Sequence, residues 1–185
     1  MDLAYTLTNG PATALAVALA LIAAMLDHRS GIIPNRLTYP FLCAGLLLSL
    51  AAMGISGLGL ALAGLLAASA VFLFAFLAGS CGGGDVKLMA ALGALLGLGP
   101  AVDVTLMALM VGGVMAVASM LSRINYGEAL KIVGLFIMLA PAGMRAATRV
   151  LRPRERHTVR FGVAALGGLL WCLLAPGYTP LAFLG

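Results

Sequence analysis

The chain has 185 residues, 63% of them hydrophobic and 9% charged, with a formal net charge of +5. Soluble domains carry about 25% charged residues, so this composition excludes a water-facing globular surface and makes lipid the solvent for most of the molecule. The three cysteines, Cys43, Cys81 and Cys172, are scattered without a CxxC, which excludes a zinc framework and a disulfide scaffold.

Taken in order, the apolar segments predict an all-α, polytopic membrane protein of about six helices. The first covers 8–26. It lacks a basic region before it and ends in Asp27-His28-Arg29 rather than a small-residue cleavage site, so it reads as a retained span and not a secretory signal. Further spans are expected at 37–53, 58–78, 86–99, 102–122 and 161–182. Crossing a bilayer takes roughly 20 apolar residues. The segment 86–99 is short, rising about 21 Å at 1.5 Å per residue, so it either begins below the membrane surface or borrows residues past Pro100. The apolar stretch 132–144 is shorter still and lies between Lys131 and Arg145. It reads as a re-entrant or interfacial helix on the cytoplasmic face. No polar linker divides the chain, so 1–185 is expected to be one membrane-embedded domain.

The basic residues set the orientation. Arg29 and Arg36 lie in the first loop and Lys87 follows the third span. The remaining eight, Arg123 through Arg160, follow the fifth. The loops on the other side carry none. The positive-inside rule places these three loops in the cytoplasm and both termini outside. Within the last basic stretch, Arg145, Arg149, Arg152 and Arg156 suit contact with anionic lipid heads. A surface that meets a substrate is the other reading of that spacing.

The acids are Asp2, Asp27, Asp85, Asp103, Glu128 and Glu155. Asp27 closes the first span and Asp85 opens the fourth, both at the cytoplasmic end of an apolar helix. Ionisable residues at such positions are costly, and they point to function. Two carboxylates at one depth can share a proton, one acting as general base toward water and the other as general acid. The alternatives are structural: Asp27 as a helix-end charge beside Arg29, Asp85 as an N-cap, Asp103 as a cap at the outer face. The run Gly82-Gly83-Gly84 before Asp85 admits backbone angles closed to other residues and lets a second backbone come near.

The segment Asp27-His28-Arg29-Ser30-Gly31-Ile32-Ile33-Pro34-Asn35 resembles the first-aspartate block of prepilin peptidases. Gly82-Gly83-Gly84-Asp85-Val86-Lys87-Leu88 resembles their GxGD block. The resemblance spans most of residues 10–122. It implies an intramembrane aspartyl endopeptidase that removes the short basic leader of type IV prepilins at the cytoplasmic face, commonly after a glycine. It implies Asp27 and Asp85 as the catalytic pair, and Gly82, Gly84 and Lys87 as candidate substrate contacts. Lys87 has a second reading as an interfacial anchor. The small size resembles the short forms that serve Flp pili in Tad secretion systems. Larger relatives carry a cytoplasmic cysteine-paired domain, missing here, so no methyltransferase activity is expected. Short members often open the last span with Pro-Tyr-Gly; Arg160-Phe161-Gly162 stands there without the proline.

The expected partners are a Flp-type prepilin and membrane lipid, with no nucleic acid, metal or cofactor. The expected location is the bacterial inner membrane. A rhomboid reading of Gly54-Ile55-Ser56-Gly57 lacks an intramembrane histidine to activate the serine. No HExxH supplies a zinc protease. The rival from another class is a non-proteolytic transporter or structural protein, with Asp27 and Asp85 as ion-coupling or packing groups.

Overall fold

The computed structural model describes residues 10–77, 81–121 and 161–175. The expected basic re-entrant helix at 132–144 and both chain termini lie outside the described residues. The described residues are all-helical, with no strand among them: α1 (Gly10–Ser30), α2 (Asn35–Leu77), α3 (Gly83–Leu96), α4 (Leu98–Leu121) and α5 (Phe161–Leu174). Of these, Gly10–Ser30, Asn35–Leu77 and Leu98–Ser119 are long and apolar enough to cross a membrane.

Helix α1 starts with Pro11 in its first turn, where the missing N–H costs nothing. It stops at Gly31, whose φ of 65° closes the helix as its N–H donates to the Asp27 carbonyl at 2.9 Å. This is the left-handed glycine cap that ends many helices. Pro34 then opens α2, accepting from Leu37 N at 3.0 Å.

The continuous assignment of α2 conceals a break. Gly54 has φ 64° and ψ −145°, outside the helical region. Gly45 on one side of the break abuts Ala94 and Leu95, and Gly64 on the other abuts Gly93 and Gly97. An unbroken helix would set positions 45 and 64 roughly 28 Å apart. The two legs, 35–53 and 55–77, therefore form a hairpin. They match the separate spans expected at 37–53 and 58–78.

Between these legs runs α3, the core of the fold. Every residue from Leu88 to Leu96 is buried. At the Gly64–Gly93 crossing, a Cβ on either glycine would run into the backbone of the other helix. Small residues of this kind allow the backbone approach that drives helix packing in lipid. Gly97, with φ 74°, ends α3, and α4 begins at the next residue. Helix α5 packs mainly on α1 and touches α3, and its Gly168 lies against Ala108 of α4. Large apolar side chains such as Leu47, Ile55, Leu66, Phe74, Met110 and Leu174 point outward. Such an exposed apolar surface suits contact with lipid.

The packed helices belong to a compact unit of residues 1–114 and 158–185. Residues 115–157 form a second unit, of which 115–121 are described.

Candidate active site

Asp27 sits in the last turn of α1, where the helix dipole disfavours an anion. Its side chain is 5% exposed. A buried carboxylate needs donors, and Gly162 supplies one: its backbone N–H donates to Asp27 Oδ2 at 2.7 Å. Gly162 is the second residue of α5, so its N–H is one of the first-turn donors that have no partner inside the helix. The N-terminus of α5 thus offsets the C-terminus of α1.

Asp85 is the third residue of α3. Its Oδ2 accepts from Gly82 N at 3.1 Å, and its own N–H donates to Gly82 O at 3.1 Å. Asp85 therefore has a capping role, although Gly82 rather than Asp85 is the N-cap residue and Asp85 acts from inside the helix. This role does not remove the side chain from the site, because the same carboxylate also lines a cavity.

That cavity has a volume of about 200 Å³ and is lined by Asp27, residues 31–33 and residues 82–85. Both motif segments thus converge on one space, although their aspartates are 58 positions apart in sequence. Their backbones are close: a Cβ on Gly84 would stand 3.2 Å from Ile33 Cβ and 3.5 Å from Ile33 N. The glycine lets the turn after α1 lie against the start of α3. A second, smaller hollow of about 130 Å³ near Pro11, Leu48, Gly57 and Leu95 has no ionisable side chain in its lining.

Of the residues singled out by sequence, Asp27, Asp85, Gly82 and Gly84 line the cavity, and Lys87 is not among its lining residues. Lys87 Nζ donates to Asn35 Oδ1 at 2.8 Å and lies 5.8 Å from the centre of the Tyr39 ring. It ties the GxGD segment to the Ile-Pro-Asn segment. Asp103 is buried at 2% exposure in α4, away from the lining of this cavity.

Cys81 precedes the glycine run and donates from Sγ to the Phe72 carbonyl at 3.3 Å. Burial first, and then the charge of Asp85, push its thiol above the ordinary range. Since the thiolate is the nucleophilic form, this cysteine is poorly suited to attack a peptide. No cluster of side chains able to hold a metal occurs among the described residues.

Sequence reading missed Gly162. The segment around it departs from the Pro-Tyr-Gly pattern, and a backbone donor leaves no side-chain signature. The signal that could have found it is a glycine in the first turn of an apolar helix. Such a turn offers free N–H groups to an anion.

Comparison with known proteins gives one match. The model of a family described as the type IV leader peptidase family matches residues 14–117. This stretch contains both aspartates and the whole of the cavity lining. A search of curated proteins and of solved structures returned no match.

Proposed function

Because the chain belongs to the type IV leader peptidase family, we propose that Asp27 and Asp85 work as an aspartyl pair that cuts the leader from a Flp-type prepilin. One observation carries the reading: both carboxylates border a single cavity at the junction of α1 and α3. In the reaction, the ionised carboxylate takes a proton from water and the water oxygen bonds to the scissile carbonyl carbon. The protonated carboxylate then gives its proton to the amide nitrogen as the C–N bond breaks. This division of labour needs two acids side by side, since close carboxylates resist ionising together.

The substrate enters from the cytoplasmic side, which the distribution of basic residues assigns to the loops after α1 and before α3. Its basic leader stays at the surface and its apolar segment lies in lipid. Gly82 and Gly84 border the cavity in which an extended peptide backbone would lie beside the acids, and Gly84 lets the turn carrying Ile33 close against it. Lys87, engaged by Asn35, serves by keeping the two segments together. The enzyme is a multi-pass protein of the bacterial inner membrane and acts without cofactor, metal or methyl transfer.

The test uses purified wild-type protein in lipid with a Flp-type prepilin, and mass spectrometry of the product. The expected cut follows the glycine at the leader boundary, and moving that glycine several residues into the apolar helix abolishes cleavage. Undiminished cutting of the displaced glycine would contradict the depth-matched geometry, and absence of any cut would contradict the substrate.

A further inference from the structure

Asp27 faces two electrostatic costs at once. It is buried, and it stands at the helix end whose dipole repels it. The Gly162 contact is the described feature that offsets both. The contact joins residues 135 apart in sequence, is 2.7 Å long and is buried. It also tolerates no side chain on its donor: a Cβ at Gly162 would stand 2.9 Å from Asp27 Cβ, 3.1 Å from Asp27 Oδ2 and 3.1 Å from the Ala23 carbonyl. The turn is held from its other side, where the Phe161 ring packs on Phe72 at 4.5 Å between centroids. Phe72 in turn accepts from Cys81, next to the glycine run that carries Asp85. The start of α5 is therefore braced against both sides of the cavity.

We infer that Gly162 is a positioning residue: its N–H and its lack of a side chain fix the Asp27 carboxylate in the orientation that faces Asp85. This role rests on the reading of Asp27 as one of the two reacting acids. The carboxylate has two oxygens. With Oδ2 committed to Gly162, Oδ1 is left for water and substrate. A carboxylate free to rotate would spend part of its time misaligned, and small misplacements of a reacting group are costly in rate.

Asp85 shares the cavity with Asp27. On α1 itself His28 and Arg29 follow Asp27; the described charged or titratable groups on neighbouring segments are Arg36, Tyr39 and Cys43 of α2, Cys81 and Lys87 around the start of α3, and Cys172 of α5, with Lys87 held by Asn35. A pH titration of this contact must therefore be read against Asp85 as well.

Two measurements test the role. In Gly162→Ala, kcat for prepilin cleavage falls by about 10- to 100-fold, the worth of one hydrogen bond to a charged group. KM stays within about twofold, since no substrate contact is removed. The control is Gly113→Ala in α4, where an added Cβ meets nothing within 4 Å; its activity is unchanged. The second measurement needs no altered enzyme. Phe161–Gly162 is the only Phe-Gly pair in the sequence, so carbonyl-13C phenylalanine with 15N glycine selects this one amide. Its signal moves with pH in wild type and in Asp85→Asn, and in Asp27→Asn it keeps only the smaller change that Asp85 imposes through the shared cavity. Wild-type kcat in Gly162→Ala, a loss carried by KM alone, or an amide that ignores pH in wild type would each overturn the inference. If Gly162→Ala fails to accumulate, the amide titration decides alone. Normal cleavage by Asp27→Asn would sink the catalytic reading and this role together, whereas an inactive Asp27→Asn beside a fully active Gly162→Ala sinks this role only.

Discussion

Lys87 Nζ reaches Asn35 Oδ1 at 2.8 Å, and this side-chain bond joins the two motif segments across 52 positions of sequence. Asn35 is the first residue of α2 and follows the turn that carries Ile33. Lys87 lies two positions after Asp85. The pair therefore controls how the turn after α1 meets the start of α3, which is where the cavity forms. The bond is exposed, so it is worth about 1 kcal/mol rather than the full value of a buried charged contact. We expect Lys87→Met and Asn35→Ala each to lower cleavage by about fivefold. In the double variant the losses do not add, because both remove the same contact. Rates measured on the two single variants and the double check this directly.

Gly84 governs the same junction by sterics. A methyl group there would stand 3.2 Å from Ile33 Cβ, closer than packed side chains tolerate. Overpacking of this kind costs about 1–3 kcal/mol. We expect Gly84→Ala to lose about tenfold in cleavage or more, and a second substitution, Ile33→Ala, to restore part of it by reopening the gap. Loss of activity without any rescue by Ile33→Ala would mean that Gly84 matters for another reason, such as direct contact with substrate.

Gly54 presents the opposite case, a glycine that shapes the fold away from the acids. Its φ of 64° makes the hairpin of α2 possible. An L-residue held in this glycine-favouring conformation costs about 1–3 kcal/mol. Gly54→Ala is therefore expected to lower the midpoint of thermal unfolding in detergent, while cleavage per folded molecule stays at the wild-type rate. A change in specific activity would show that the hairpin bend reaches the site.

These expectations show which parts of the molecule were legible beforehand. Apolar length alone located the helices, since few other structures satisfy backbone groups in lipid. The spans foreseen at 37–53 and 58–78 fall on the two legs of α2, which part at Gly54, where the backbone leaves the helical region. The boundaries of α3 were less well placed. It begins at Gly83 rather than residue 86, because Asp85 enters the helix and caps it from inside through Gly82. The sequence reading allowed Asp27 and Asp85 to meet only if their helices packed together, and both line one cavity. The Gly162 contact did not, because a backbone N–H is chemically the same in every residue but proline. The partner of Lys87 was also hidden: a lysine at a membrane edge reads as an anchor, and only the fold brings Asn35 beneath it.

The central claim is that Asp27 and Asp85 are the two reacting acids. The most direct test is the rate of prepilin leader cleavage by wild type, Asp27→Asn and Asp85→Asn, each purified in lipid and shown to be folded. Each replacement keeps the side-chain shape and removes the ionisable group, so each variant should lose at least about 100-fold in rate, the lower range for general acid–base catalysis. A folded Asp27→Asn or Asp85→Asn that cleaves at the wild-type rate would contradict the account, leaving that aspartate as a helix-end charge or a cap.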